Sequence, residues 1–257
     1  MSSVDFLAEL KAKLEEADSA SIDRENGFPL LSSARTFVSD KKAELERKHL
    51  EGAGGAAVVS LYTALADALI SLVYTKRAPD GAGSVLVALG GYGRKELCFS
   101  SDLDIMLLHQ GPLPHHVEEA NNYLISFLWD LGFEVGHSVR SLDVALQMAR
   151  EDDVVLTPML EARPLAGDAS LLDALRERLF ALLKDQGIKR FVGLKKRERN
   201  ADYRRWGREI YHGEPNIKLT AGGLRDYHTG MWVALAKFGM RSLNDCHAEG
   251  LLTEEQF

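Results

Sequence analysis

The stretch Gly90–Asp104, GGYGRKELCFSSDLD, decides how this chain of 257 residues is read. It sits between two apolar runs of strand length, Ser84–Leu89 (SVLVAL) and Asp102–Leu108 (DLDIMLL). In a strand, residues two apart share a face, so Asp102 and Asp104 project side by side while Leu103 and Ile105 point the other way into a core. Two carboxylates held together repel one another, and a hard divalent cation with a preference for oxygen relieves that repulsion. Magnesium suits the pair, because it takes one or two carboxylates and completes its shell with phosphate oxygens and water. The glycines supply the second half of a phosphate site: Gly90 and Gly91 let the backbone approach a ligand and aim its N–H groups at phosphate oxygens. Ser100 and Ser101 add hydroxyl donors. The segment is not a Walker loop, which needs GxxxxGK[ST], nor a dinucleotide GxGxxG, because Glu96 stands where the last glycine would be.

Outward from this segment the pattern is mixed. Val4–Ala17, Ser39–Lys48 and Ala56–Tyr74 read as helices, Val117–Leu131 as a further helix, and Phe133–Val139 (FEVGHSV) as a third strand. From Asp143 onward the chain reads mainly helical, with breaks at Pro158, Pro164–Gly167 and Gly187. The expected architecture is an α/β core, a mixed β-sheet with flanking helices over residues 76–144, preceded by a helical segment at 1–75 and followed by a helical domain at 145–257. The last residues, EGLLTEEQF, do not close their helical pattern, which fits either a chain cut from a longer one or a naturally short relative.

Composition narrows the function. With 31 Lys and Arg against 38 Asp and Glu the net charge is −7, which excludes a generally basic nucleic-acid coat. Ala56–Tyr74 is long enough to span a bilayer, yet Ser60, Thr63, Asp67 and Ser71 form one polar stripe on it, the signature of a buried amphipathic helix. No membrane partner is expected. Two distant cysteines, Cys98 and Cys246, support neither a disulfide scaffold nor a thiolate zinc site, and the start of the chain lacks the apolar run of a secretory signal; a reducing cytoplasm fits. Charge is uneven: Lys184–Arg208 holds ten Lys and Arg against three acids, a local +7 that leaves −14 elsewhere. Downstream, Lys218 precedes the Gly222–Gly223 turn and Arg225 and Asp226 follow it at a helix start. Lys218 and Arg225 are therefore candidate phosphate or substrate contacts.

Taken together, these segments resemble the nucleotidyltransferase signature of the DNA polymerase β-like superfamily, and within it the bacterial PII uridylyltransferase family. The likeness extends through Arg35–Val59, Val135–Leu142 (VGHSVRSL), Leu156–Asp168 (LTPMLEARPLAGD) and Glu214–Trp232 (EPNIKLTAGGLRDYHTGMW). The last of these is also similar to glutamine synthetase adenylyltransferases. The resemblance implies transfer of UMP from UTP to a tyrosine of the PII signalling protein, with release of pyrophosphate, in nitrogen regulation. It makes Asp102 and Asp104 the magnesium-binding catalytic carboxylates and places the triphosphate on Gly90, Gly91 and Ser101. A protein adenylyltransferase using ATP, or a catalytically inactive nucleotide-binding module, are the alternatives.

Two departures bear on that implication. Polymerase-type transfer normally uses a third carboxylate on a neighbouring strand, and here that strand presents Gly136, His137 and Ser138, with Glu134, Glu161 or His137 as the substitutes on offer. The family's full-length members add a metal-dependent hydrolase, and no His-Asp dipeptide of that type occurs in the sequence, so uridylyl removal is not expected of it.

Overall fold

The computed structural model describes residues 8–9, 11–12, 28–78, 83–184, 186–206 and 216–256. The helix read over Val4–Ala17 lies mostly outside them. The regular elements are, in chain order, α1 (Phe28–Leu50), α2 (Gly55–Arg77), β1 (Ser84–Ala88), α3 (Gly90–Gly93), β2 (Leu103–His109), α4 (His115–Asp130), β3 (Val135–Ser141), α5 (Leu142–Glu151), α6 (Asp153–Leu160), β4 (Arg163–Gly167), α7 (Ala169–Leu182), α8 (Gln186–Trp206), α9 (Leu224–Phe238) and α10 (Leu243–Ala248). They fall into two compact units. One holds the described residues through Ala145 together with Glu161–Leu175; the other holds Leu146–Leu160 and the described residues from Arg176 onward.

The first unit is built on a four-stranded mixed sheet of order β3-β2-β1-β4. β1 is antiparallel to β2 and to β4, while β2 and β3 run parallel and are joined through α4, because a parallel pair needs a crossover long enough to return the chain. β1 is buried along its whole length, as its unbroken apolar run implies. Leu86, Ala88, Leu103, Ile105 and Leu107 face a core shared with α1, α2 and α4. β4 falls where the proline-glycine break suggested only an interruption. Pro164 is tolerated there because β4 is an edge strand, and the ladder is irregular between Leu86 and Val87 of its partner.

α2 is, among the described residues, the helix whose length and hydropathy would suffice to cross a bilayer. Its apolar face is buried through Val58, Tyr62, Leu65, Ala66, Leu69, Ile70, Val73 and Tyr74, and full burial of each Leu or Ile there is worth roughly 1.5–3 kcal/mol. The polar stripe turns toward the sheet. Thr63 Oγ1 accepts from the Leu97 N–H at 3.3 Å, Asp67 binds Arg163 through both oxygens at 2.8 and 2.9 Å, and Ser71 donates to the Leu165 carbonyl at 2.8 Å. Three members of the stripe thus serve the fold by satisfying polar groups of the α/β core, while Ser60 is exposed.

In the second unit the regular elements among the described residues are helices. α10 starts on a capping box between Ser242 and Asp245. It also has a stop that the open-ended pattern of EGLLTEEQF does not suggest. Gly250 adopts φ 71°, and its N–H and that of Leu251 bond back to the His247 and Cys246 carbonyls, closing the helix as a Schellman turn.

Candidate active site

At the end of β1 the chain enters α3, a single turn whose first residue, Gly90, has φ 55°. A residue with a Cβ is strained in that left-handed region, so the glycine is what lets the strand turn into the helix. Gly93 and Arg94 donate back to the carbonyls of Leu89 and Gly90, whereas the N–H groups of Gly90 and Gly91 precede the first intrahelical bond. Tyr92, inside the same turn, is buried in the main core and anchors the loop from below.

The turn is braced from two sides. Arg94 donates from Nε to Glu96 at 2.8 Å and from Nη1 to Glu161 at 2.8 Å. Burial works against the Arg94 charge, but the charges of Glu161 and Glu96 outweigh it and raise the guanidinium pKa. On the other side Arg163, held by Asp67, donates to the Tyr92 carbonyl at 3.3 Å. Sequence reasoning assigned Arg94 and Glu96 no chemical role. The structure makes both of them supports of the glycine turn, and it reveals Arg163 and Asp67 as further supports that no motif signalled.

Asp102 and Asp104 stand at the entrance of β2, both exposed. The Leu89 N–H donates to the Asp104 carbonyl at 2.9 Å, which brings the glycine turn directly beside the second aspartate. Partial burial of the Asp104 carboxyl raises its pKa, and the negative charge of Asp102 adds to the rise. Asp104 is opposite Gly136 in the β2–β3 register. A Cβ on Gly136 would lie 2.6 Å from Asp104 Oδ1, and one on Gly90 would lie 3.1 Å from Oδ2. The carboxylate therefore occupies a cradle formed by two bare backbones. A pair of oxygen donors under mutual repulsion, with no side chain crowding the second of them, fits a hard divalent cation.

The remaining candidates separate clearly. Ser101 Oγ accepts from the Cys98 N–H at 3.2 Å, so it fixes the loop leading into β2 while keeping its own proton available. Glu161 is committed to Arg94. His137 pairs with Ile105, not with Asp104, in the β2–β3 register, and its ring meets the edge of Trp129 on α4 at 5.8 Å. It therefore lies on the opposite face of the sheet from the aspartates and does not complete their site. Among the described residues no group of three or more His, Cys, Asp or Glu is gathered as a ready metal cage.

Lys218 and Arg225 belong to the second unit, where the structure brings them together: the Arg225 N–H donates to the Lys218 carbonyl at 2.8 Å across the Gly222–Gly223 turn. Asp226 holds that turn. Its Oδ2 accepts from the Gly222 N–H at 2.7 Å, and its Oδ1 accepts from Arg199 and Tyr203, each at 2.6 Å. Burial disfavours the Asp226 charge, but these hydrogen bonds prevail and lower its pKa. Several cations of the basic run are likewise spent inside the unit: Lys195 and Arg199 are buried, and Arg190, Lys195 and Arg199 pair with Asp153, Glu198 and Asp202. The run is thus less of a free electropositive face than its composition suggests. Arg225 lies over the Trp232 ring, 5.1 Å from its centroid.

A family model described as GlnD PII-uridylyltransferase matches residues 190–257. The chain is 35% identical over 244 residues to the bifunctional uridylyltransferase/uridylyl-removing enzyme of Rhodospirillum rubrum, covering 91% of this chain and 26% of that protein. It is 37% identical over 238 residues to the enzyme of the same name from Haemophilus influenzae, covering 90% and 27%. To that of Phenylobacterium zucineum it is 37% identical over 201 residues, covering 74% and 21%. The chain spans about a quarter of the length of these curated relatives.

Proposed function

The chain belongs to the PII-uridylyltransferase family, and from that premise we propose that it is a metal-dependent nucleotidyltransferase that moves UMP from UTP to a tyrosine hydroxyl of a PII-type signalling protein. The observation that carries this reading is the Asp102–Asp104 pair, two exposed like charges beside the Gly90 turn with bare backbone at Gly136. In the proposed reaction the phenolic oxygen forms a bond to the α-phosphorus of UTP, the bond to the bridging oxygen breaks, and pyrophosphate and the phenolic proton leave. Magnesium bound by Asp102 and Asp104 would supply Lewis-acid polarisation of the phosphoryl group. The chain's own work is positional. Gly90 and Gly91 offer backbone N–H groups to the triphosphate, Ser101 offers a hydroxyl proton, and the Arg94–Glu96–Glu161 and Arg163–Asp67 braces keep that turn in register with β2. Holding such donors in place before substrate arrives is where catalytic advantage arises in phosphoryl transfer.

In the second unit, Lys218 and Arg225 are proposed as contacts for an anionic group of a substrate. A role in nitrogen regulation and a cytoplasmic setting complete the reading, the latter supported by two cysteines that are both free thiols. The test is incorporation of label from α-phosphate-labelled UTP into a PII-type protein with magnesium present. Labelling that competes with UTP but not ATP is the expected result, and preference for ATP would point to adenylylation.

A second reading has one observation in its favour. Glu161 is occupied by Arg94 and His137 faces away, so neither supplies a third acid. On that basis the chain would be a nucleotide-binding module without turnover, and UTP binding with no pyrophosphate release in the presence of the acceptor would select it.

A further inference from the structure

A cavity of about 480 Å³ opens in the first unit between α1 and the loops that lead into β2 and β3. That volume lies in the range of small-molecule sites. From α1 come Arg35, Ser39 and Lys42, which share one helical face by their spacing. Ser100, Ser101 and one acid, Glu134, complete the polar lining. Tyr62 and Phe99, packed edge to face at 4.8 Å, form an apolar wall.

The charges here are unbalanced. Arg35 donates to the Asp130 carbonyl, and Lys42 lies over the Phe99 ring at 5.5 Å. Neither has a carboxylate at ion-pair distance among the described residues. Most other cations of this unit's interior have one: Lys41 has Glu44, Arg94 has Glu161 and Arg163 has Asp67. Lys42 is half-buried, and with Arg35 it gives the cavity two cations against the single acid Glu134, an excess that an anionic ligand offsets. The cavity is also distinct from the aspartate pair. Neither Asp102 nor Asp104 lines it, and Leu103 between them belongs to the core that also holds Val38 and Tyr62 of the cavity wall.

We propose that this cavity binds a small organic anion, carrying a phosphate or carboxylate group on an apolar body, with Arg35 and Lys42 as the charged contacts and Ser39, Ser100 and Ser101 as hydroxyl donors. The ligand ties α1 to the loop that carries Ser101 and Asp102, so its occupancy reaches the candidate active site through a single residue. The site uses neither aspartate, but it shares Ser101 with the triphosphate contacts proposed above.

The test is calorimetric titration of the full chain, without magnesium, with inorganic phosphate and separately with malonate, the two probes separating a phosphate from a carboxylate preference. Saturable binding of at least one probe is expected in the wild type and in Asp102→Asn/Asp104→Asn alike. In Arg35→Gln/Lys42→Gln the affinity should fall by about tenfold or more, the loss of two charge-assisted contacts. Ser39→Glu, which keeps both cations but sets a carboxylate between them, should abolish binding and serves if the double variant does not fold. Absence of saturable binding by both probes, or undiminished binding in either cavity variant, overturns the proposal.

Discussion

Asp104 and Gly136 face each other across the parallel β2–β3 ladder with so little room that a Cβ on the glycine would come within 2.6 Å of Asp104 Oδ1. Gly136→Ala should therefore move the carboxylate without removing it. Activity is expected to fall by about a hundredfold, the cost of a displacement near 1 Å in a positioned site. Stability should change little, since alanine is at least as good as glycine in a strand. Label transfer and a thermal melt on the same variant check both halves, and unchanged activity would show that Asp104 does not need its cradle.

Removing the charges should separate activity from stability more sharply. Asp102→Asn and Asp104→Asn each relieve a like-charge repulsion that raises the Asp104 pKa. Nucleotide transfer should drop by roughly a thousandfold or more, as when a key charge-stabilising group is lost, while the melting temperature stays level or rises. A fall in both together would mark the pair as structural.

Arg94 bridges two carboxylates, and Glu161 is only 8% exposed at its side chain. Arg94→Ala leaves that acid buried without its cation, a loss of about 3 kcal/mol, readable by urea unfolding. Arg94→Lys should recover part of the stability but little activity, because an ammonium lacks the planar fork that reaches Glu96 and Glu161 at once. Full activity in the lysine variant would count against the bracing role.

The second unit carries a pH signature. The pKa of Asp226 is lowered in the folded state by Tyr203, Arg199 and the Gly222 N–H, which together outweigh burial. A depressed carboxylate pKa contributes stability that is complete above the unfolded value, near 3.9, and is lost as pH falls through the folded value. Asp226→Asn should thus cost about 2 kcal/mol at pH 7, where Arg199 loses one of its two carboxylate partners, and the gap from wild type should narrow below about pH 4. A gap independent of pH would mean that Asp226 acts through shape alone.

Much of this was legible in the sequence. Strand-length apolar runs on both sides of GGYG placed β1 and β2, because that signal is local, although β2 begins at Leu103 and leaves Asp102 in the loop before it. β4 was hidden by Pro164 and Gly167, which read as a break and are tolerated only because the strand lies at an edge, a fact of tertiary pairing. The polar stripe of α2 announced burial but not its partners: Arg163 meets Asp67 across 96 residues of chain. His137 could not be placed until the register with Ile105 fixed its face. The long-range braces around Arg94 were illegible for the same reason. Pairing across the fold leaves no periodic trace.

Whether Asp102 and Asp104 hold the metal that binds the nucleotide is tested by calorimetric binding of a non-hydrolysable UTP analogue to the full chain, with magnesium and with a chelator, for the wild type and for Asp102→Asn/Asp104→Asn. Tight binding is expected only in the wild type and only with magnesium. Equal affinity in the two proteins, or binding unaffected by the chelator, would contradict it.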